Sequence, residues 1–311
     1  MPPFRHCLFA AVLGVAAACP ARAAERLSVG IVTFSATDLN TNDMVDKMTA
    51  DARAKGWTVS SLDARGEPLQ ANTAMKQLVA KKVDAIIVTV FDSTSLASGI
   101  AAARDAGIPV LSAGGGLAPG IAFAASTGAA QPMVDLALHD LGDRGAMLNL
   151  TYHPGVPCRE RADAFDAAVG AHPGIKATDH EINMQSAAAS SQATTSAWLA
   201  ANAGAAGPFA IFNCFDDNAM GAIAALKQNE RRDVKVYSFN ATAPALQAVR
   251  DGWMTATLWV DLKSAGTILV DAIPAIIEAG AAWQPKSVVP GHVVVTKSTL
   301  DAFVTQHPDR G

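Results

Sequence analysis

Few side chains in this sequence are both chemically capable and suitably spaced. The run Gly114-Gly115-Gly116-Leu117-Ala118-Pro119-Gly120 invites comparison with a dinucleotide loop, but a third glycine is required where Pro119 stands and no helical pattern follows at once. Asp38, Asn40 and Asn42 imitate the start of a calcium loop, yet Asp43 occupies the turn position that needs glycine, and Thr49 that of the closing glutamate. The seven histidines lack metal-ligand spacing, and His153 and His172 both precede proline in turns. No Gly-x-Ser-x-Gly elbow occurs, and the cysteines have no histidine partner in a recognisable local signature. These patterns point away from nucleotide, metal and nucleophilic chemistry, so neither a cofactor nor an enzymatic activity is expected. What remains are polar residues placed directly after apolar runs, at 213–217 and 240–242.

The elements that must position those residues are legible around them. Residues 209–212 and 234–239 are short, continuously apolar runs, and between them Ala219, Ile223 and Leu226 mark one helical stripe. That is a βαβ unit, in which the carboxyl ends of the strands border a crevice suited to ligands. The same rhythm begins earlier. Strands are expected at 27–34, 57–62, 85–90 and 109–112, separated by helices at about 44–52, 72–80 and 95–106. After the glycine loop and a short apolar piece, 121–125, the series restarts with helix 132–141. It continues through strand 146–150, helix 159–169, a weaker strand at 175–182 and helix 192–202. Beyond the central unit come helix 244–251, strand 255–260, helix 262–279 and strand 292–296. Strands separated by helices pair in parallel with right-handed crossovers. The expected class is α/β, with two similar doubly wound lobes.

The amino terminus is set apart. Arg5 and His6 precede an apolar core, 8–18, that ends in Ala21-Arg22-Ala23, the pattern of a cleavable secretory leader over residues 1–23. A lipid-modified Cys19 is the alternative reading. No later stretch offers about 18 uninterrupted apolar residues, so an exported, periplasmic protein is expected. With 24 Lys and Arg against 28 Asp and Glu, and no basic cluster, no nucleic-acid partner is expected. The leader holds Cys7 and Cys19, which leaves Cys158 and Cys214 either bridged or as two buried thiols. The strands ending at Leu150 and Asn213 are neighbours in the doubly wound order, which brings the loops after them together and favours a disulfide.

Three motifs in order carry a resemblance. Cys158-Arg159-Glu160-Arg161-Ala162-Asp163-Ala164-Phe165, Asp216-Asp217-Asn218-Ala219-Met220-Gly221-Ala222 and the run 234–242 are similar to segments of the type I periplasmic binding proteins, the ribose and sugar group that serves ATP-binding-cassette (ABC) importers. The likeness implies two doubly wound parallel-sheet lobes joined by a three-strand hinge, with crossings near Ala124, Val260 and Pro290. One lobe would hold 25–124 and 261–289, the other 125–260 and 290–311. It implies a solute bound between the strand ends, membrane subunits of an importer as partners, and a monomer. A receptor for a membrane sensor and an exported enzyme on the same scaffold are the alternatives.

By the same resemblance Arg159 is the arginine that donates to ligand oxygens, a role its forked guanidinium suits. Phe34, Ser35, Asp38 and Asn40 match the ligand loop of the first lobe. Gly114 and Gly115 stand where sugar binders often have an Asp-Arg pair, Phe215 replaces an asparagine beside Asp217, and Asn240 replaces an aspartate that grips two hydroxyls. Phe91, Tyr152 and Trp259 add aromatic surface. Polar groups are lost and aromatic ones gained, so a modified sugar, a less hydroxylated solute or an aromatic compound is expected rather than a plain pentose or hexose.

Overall fold

The computed structural model describes residues 26–36, 39–126, 129–142, 144–205 and 207–310, and the expected leader lies outside them. Strands and helices alternate: β1 (Ser28–Thr33), α1 (Leu39–Ala54), β2 (Thr58–Asp63), α2 (Pro68–Ala80), β3 (Ala85–Thr89), α3 (Ala97–Asp105), β4 (Val110–Ala113) and β5 (Ile121–Ala125). The second series is α4 (Gln131–Leu141), β6 (Gly145–Thr151), α5 (Val156–Gly170), β7 (Ile175–Glu181), α6 (Ala187–Ala201), β8 (Phe209–Asn213), α7 (Asp216–Gln228), β9 (Val234–Phe239), α8 (Ala243–Arg250) and β10 (Ala256–Val260). The chain ends with α9 (Leu262–Ala279), β11 (Lys286–Val288), β12 (His292–Thr296) and α10 (Leu300–Gln306).

Two six-stranded sheets result, ordered β11-β5-β4-β3-β1-β2 and β12-β10-β9-β8-β6-β7. Without β11 and β12, both follow the same order, the second strand outermost beside the first, then the third, fourth and fifth. The fold is two α/β lobes, each with a doubly wound sheet, and β12 runs antiparallel to β10. Helices cover both faces, which is why the strand runs are continuously apolar. Val29, Ile31, Ala85 and Ile87 enter one core of the first sheet, and Val32, Ile86 and Val88 the other. In the second sheet Leu148, Leu150 and Ile211 face one core, and Met147, Ala210 and Phe212 the opposite one. Edge strand β7 buries only Ile175 of its seven residues, and its charges keep that edge in water.

The chain leaves one sheet for the other after β5, after β10 and between β11 and β12. These connections are bonded to one another. Ser126 donates its backbone N–H to Val288 O at 2.8 Å, and Asp261 donates its own to Gly291 O at 2.8 Å. The Asp261 carboxylate also caps α9, accepting from Ser264 N at 2.9 Å. By length and composition α9 could cross a membrane, but it buries Ala265, Leu269, Val270, Ile273 and Ile276 in the core of the first lobe. Burial of each large side chain there contributes roughly 1.5–3 kcal/mol.

The glycine loop after β4 is a steric necessity. Gly114 and Gly116 have φ of 83° and 73°, a region that suits glycine. A Cβ on Gly115 would lie 2.0 Å from the Phe91 carbonyl oxygen and 2.7 Å from Ser112 Oγ. The loop is held by Ser93, whose N–H donates to Gly115 O at 3.0 Å and whose hydroxyl donates to Gly116 O at 2.8 Å. On the other lobe, Leu150 and Asn213 are register partners. The segments that follow them, the first turn of α5 and the residue after β8, are joined by a disulfide between Cys158 and Cys214, Cα–Cα 5.0 Å.

Both the disulfide and the glycine loop carry expected outcomes. The exported protein should titrate no thiol under denaturing, non-reducing conditions, and Cys214→Ser should lower its unfolding free energy by about 2–4 kcal/mol; two titratable thiols would contradict the bridge. Gly115→Ala should cost about 1–3 kcal/mol in urea melts, because the obstructing atom is backbone. Gly170→Ala, at the end of α5 with nothing within 4 Å of the added carbon, should be neutral or stabilising by up to about 1 kcal/mol.

Candidate functional site

Parallel strands send all their carboxyl ends to one edge of each sheet, and the loops leaving those edges meet between the lobes. The clearest junction is Arg159, in the first turn of α5. Its Nη2 donates to Asp92 Oδ2 at 2.6 Å and its Nη1 to His153 O at 3.1 Å. Asp92 follows β3, so this ion pair joins the second lobe to the first. Beside it, a Cβ on Gly116 would lie 4.0 Å from Val156 Cγ1. Burial pushes the Asp92 carboxyl up, but hydrogen bonds from Thr94 N, Thr94 Oγ1 and Arg159 outweigh this, and it ends below the ordinary carboxylate value. The Asp92 carboxylate therefore stays ionised throughout the neutral range.

In the first lobe, half-buried Phe34 leaves β1 with its N–H donating to Thr89 Oγ1 at 2.8 Å. Its ring centroid is 5.0 Å from that of Phe91, which is buried. Ser35 is half-buried beside it. Asp38 lies outside the described residues, as does the side chain of Asn40, whose backbone is in the first turn of α1. Gly114 and Gly115 close this wall with backbone, since Gly115 has no room for a side chain. In the second lobe, Tyr152 and Phe215 are half-buried against the core that contains the disulfide. Asn240, directly after β9, is half-buried with φ 109°.

Two of the expected residues stand apart from this group. Asp217 is exposed and borders a groove lined by Met184, Ala187 and Met220. Trp259 is buried with its ring 4.2 Å from that of His307 and 5.7 Å from that of Phe303. It lines a separate cavity of about 490 Å³ with Lys47, Lys263, Thr267 and Arg310.

Three charged residues here were given no role by the sequence, although Arg161 and Asp216 lie within its motifs. Asp92 is the first, and its signal was position: a carboxylate directly after a strand, two residues before the threonine whose N–H it accepts. The others form the floor of the second lobe. Two residues apart on a helix, Arg159 and Arg161 face different ways, and Arg161 points inward, 4% exposed. It donates to Cys214 O, and its guanidinium lies 4.2 Å over the Phe239 ring. Burial lowers its pKa to about 10, partly offset by Asp216 and Glu160. Asp216, 1% exposed, accepts from Thr242 N at 2.8 Å, Thr242 Oγ1 at 3.0 Å and Thr257 Oγ1 at 3.0 Å. Burial raises its carboxyl to about 6 against those bonds. Among the described residues no group of three His, Cys, Asp or Glu is placed to hold a metal ion.

A cleft with polar and aromatic walls on two hinged lobes suits the capture of a small solute. A family profile described as a periplasmic binding protein domain matches residues 29–281. The ribose import binding protein of Salmonella typhimurium is 25% identical over 221 residues, 68% of this chain and 72% of that protein. An ABC transporter solute-binding protein from Agrobacterium vitis, solved with bound allitol, superposes with a TM-score of 0.82 at 19% identity, covering 90% of this chain and 98% of that one. The arabinose-binding component from Shewanella sp. ANA-3, bound to L-arabinofuranose, superposes with a TM-score of 0.77 at 19% identity over 91% and 96%. With the two-lobed topology, the profile match places this chain in the periplasmic binding protein family, whose members are exported solute receptors and not enzymes.

Proposed function

We propose that this protein is the solute receptor of an ABC importer and takes a neutral, sparsely hydroxylated sugar-like molecule between its lobes. The lobes are residues 25–124 with 261–289 and residues 125–260 with 290–311. Arg159 is the principal donor, Asn240 a second polar contact, and Phe34, Phe91, Tyr152 and Phe215 the apolar surface. The observation that carries this reading is the glycine loop. Where sugar binders often carry an Asp-Arg pair, Gly114 and Gly115 offer only backbone, and Gly115 admits nothing larger. A polyol with every hydroxyl free would leave donors unsatisfied against such a wall, at about 1–3 kcal/mol each. The ligands named for related structures, allitol, glycerol and arabinofuranose, are neutral, which supports an uncharged solute. Arg159 is already balanced by Asp92, so a carboxylate in the solute would have to displace that partner.

The importer's membrane subunits are the partner this reading requires. Exposed Leu69 and Leu117 follow β2 and β4 of one lobe, and exposed Met184 follows β7 of the other. All three stand on the strand-end rim, where a surface that recognises the closed form must touch both lobes.

Mass spectrometry of the molecule that copurifies with the exported protein should find a neutral solute with fewer hydroxyls than a hexose. Arg159→Ala should weaken its binding by about 10- to 100-fold, the equivalent of one charged hydrogen bond of roughly 1.5–3 kcal/mol, with little change in the urea midpoint. Unchanged affinity would remove Arg159 from the site. Leu69→Glu with Met184→Glu should reduce uptake in cells while leaving solute affinity as it is; undiminished uptake would remove the rim from the docking surface.

A further inference from the structure

Asn240 and Ala241 both have positive φ, 109° and 50°, although neither is glycine. Consecutive residues in that region are strained and persist only where their surroundings hold them. The holding contacts converge on one carboxylate. Thr242 donates its N–H and its hydroxyl to Asp216 Oδ2 at 2.8 and 3.0 Å. Ala241 N donates to Thr257 Oγ1 at 3.1 Å, and that hydroxyl in turn donates to Asp216 Oδ1 at 3.0 Å. Asp216, Ala241 and Thr257 are buried, so water does not compete for these bonds.

We infer that Asp216 is a positioning residue of the binding cleft: through Thr242 and Thr257 its carboxylate fixes the strained turn that sets Asn240 at the cleft. This goes beyond the proposed function but rests on it in one respect, the placement of Asn240 against the solute. The observed set suits the ionised form: all three bonds are donated to the carboxylate, and a protonated carboxyl would have to turn one threonine hydroxyl round to accept, breaking the bond it now donates. The charged group facing Asp216 is Arg161 of α5, while the turn and β10 contribute Thr242 and Thr257. Burial raises the Asp216 carboxyl to about 6, with the Thr242, Ser238 and Thr257 groups around it opposing the shift. Its folded value therefore exceeds the unfolded one, and protonation below that pH costs no global stability through this group. What acidification removes is local order at residues 240–242.

The test needs no solute. In isotope-labelled wild-type protein at about pH 7.5, the Ala241 and Thr242 amides should exchange at least about tenfold more slowly than in Asp216→Asn, the ratio of one charge-assisted hydrogen bond. Backbone chemical shifts of Asn240 and Ala241 should report the left-handed conformation only in the wild type. After correction for intrinsic exchange, the wild-type advantage should disappear between about pH 7 and 5 with no parallel loss in urea melts, whereas Asp216→Asn should be insensitive to pH. Should Asp216→Asn not fold, Thr257→Val and the wild-type titration carry the same test. Exchange and shifts that do not change in the variant, or wild-type protection that does not change with pH, would overturn the inference. An Asn240→Ala variant with normal solute affinity would instead remove Asn240 from the cleft and leave the turn result standing.

Discussion

The Arg159 guanidinium reaches from one lobe to the other, and its strength sets what the rest of the molecule must do. Arg159 meets Asp92 at 2.6 Å, but the two side chains are 36% and 21% exposed, and pairs of that kind contribute about 0–1 kcal/mol. Reversing a two-state population from 1:99 to 99:1 takes about 5.5 kcal/mol. The ion pair therefore selects the register of closure without supplying its drive. The drive has to come from a solute that touches both walls at once, since a ligand with equal affinity for open and closed forms shifts nothing.

The two walls are built by opposite means. In the first lobe the proposed cleft wall is backbone held close. Gly115 lies against the Phe91 carbonyl, and Ser93 stitches the loop in place, so shape and aromatic surface dominate there. In the second lobe a disulfide, a buried arginine and a buried aspartate tie together the loops after β6, β8 and β9. Cys158 precedes Arg159 directly and Cys214 precedes Phe215, so the bridge fixes the backbone of both at once. A rigid floor of this kind reduces the ordering cost of binding.

Much of this was legible because α/β folds write their burial pattern plainly. Strands covered on both faces read as apolar runs, and 234–239 and 292–296 have the bounds expected of them. β11 was not legible, since it has three residues, two of them exposed. Nor was α10, which buries only Leu300 and Phe303 along seven residues. Both are held by neighbours rather than by periodicity. At the cleft, the alternation along β10 separates Trp259 from Leu258 and Val260, which enter a different core, but it does not say which face meets the solute. Asp92 was hidden because a carboxylate after a strand reads first as a cap, and its second partner is 67 positions away.

The most direct measurement is small-angle X-ray scattering of the protein freed of its copurified solute and again after that solute is restored. Restoration should give a smaller radius of gyration, in a single step that saturates at one solute per protein. Scattering curves that coincide with and without the solute would contradict closure around it.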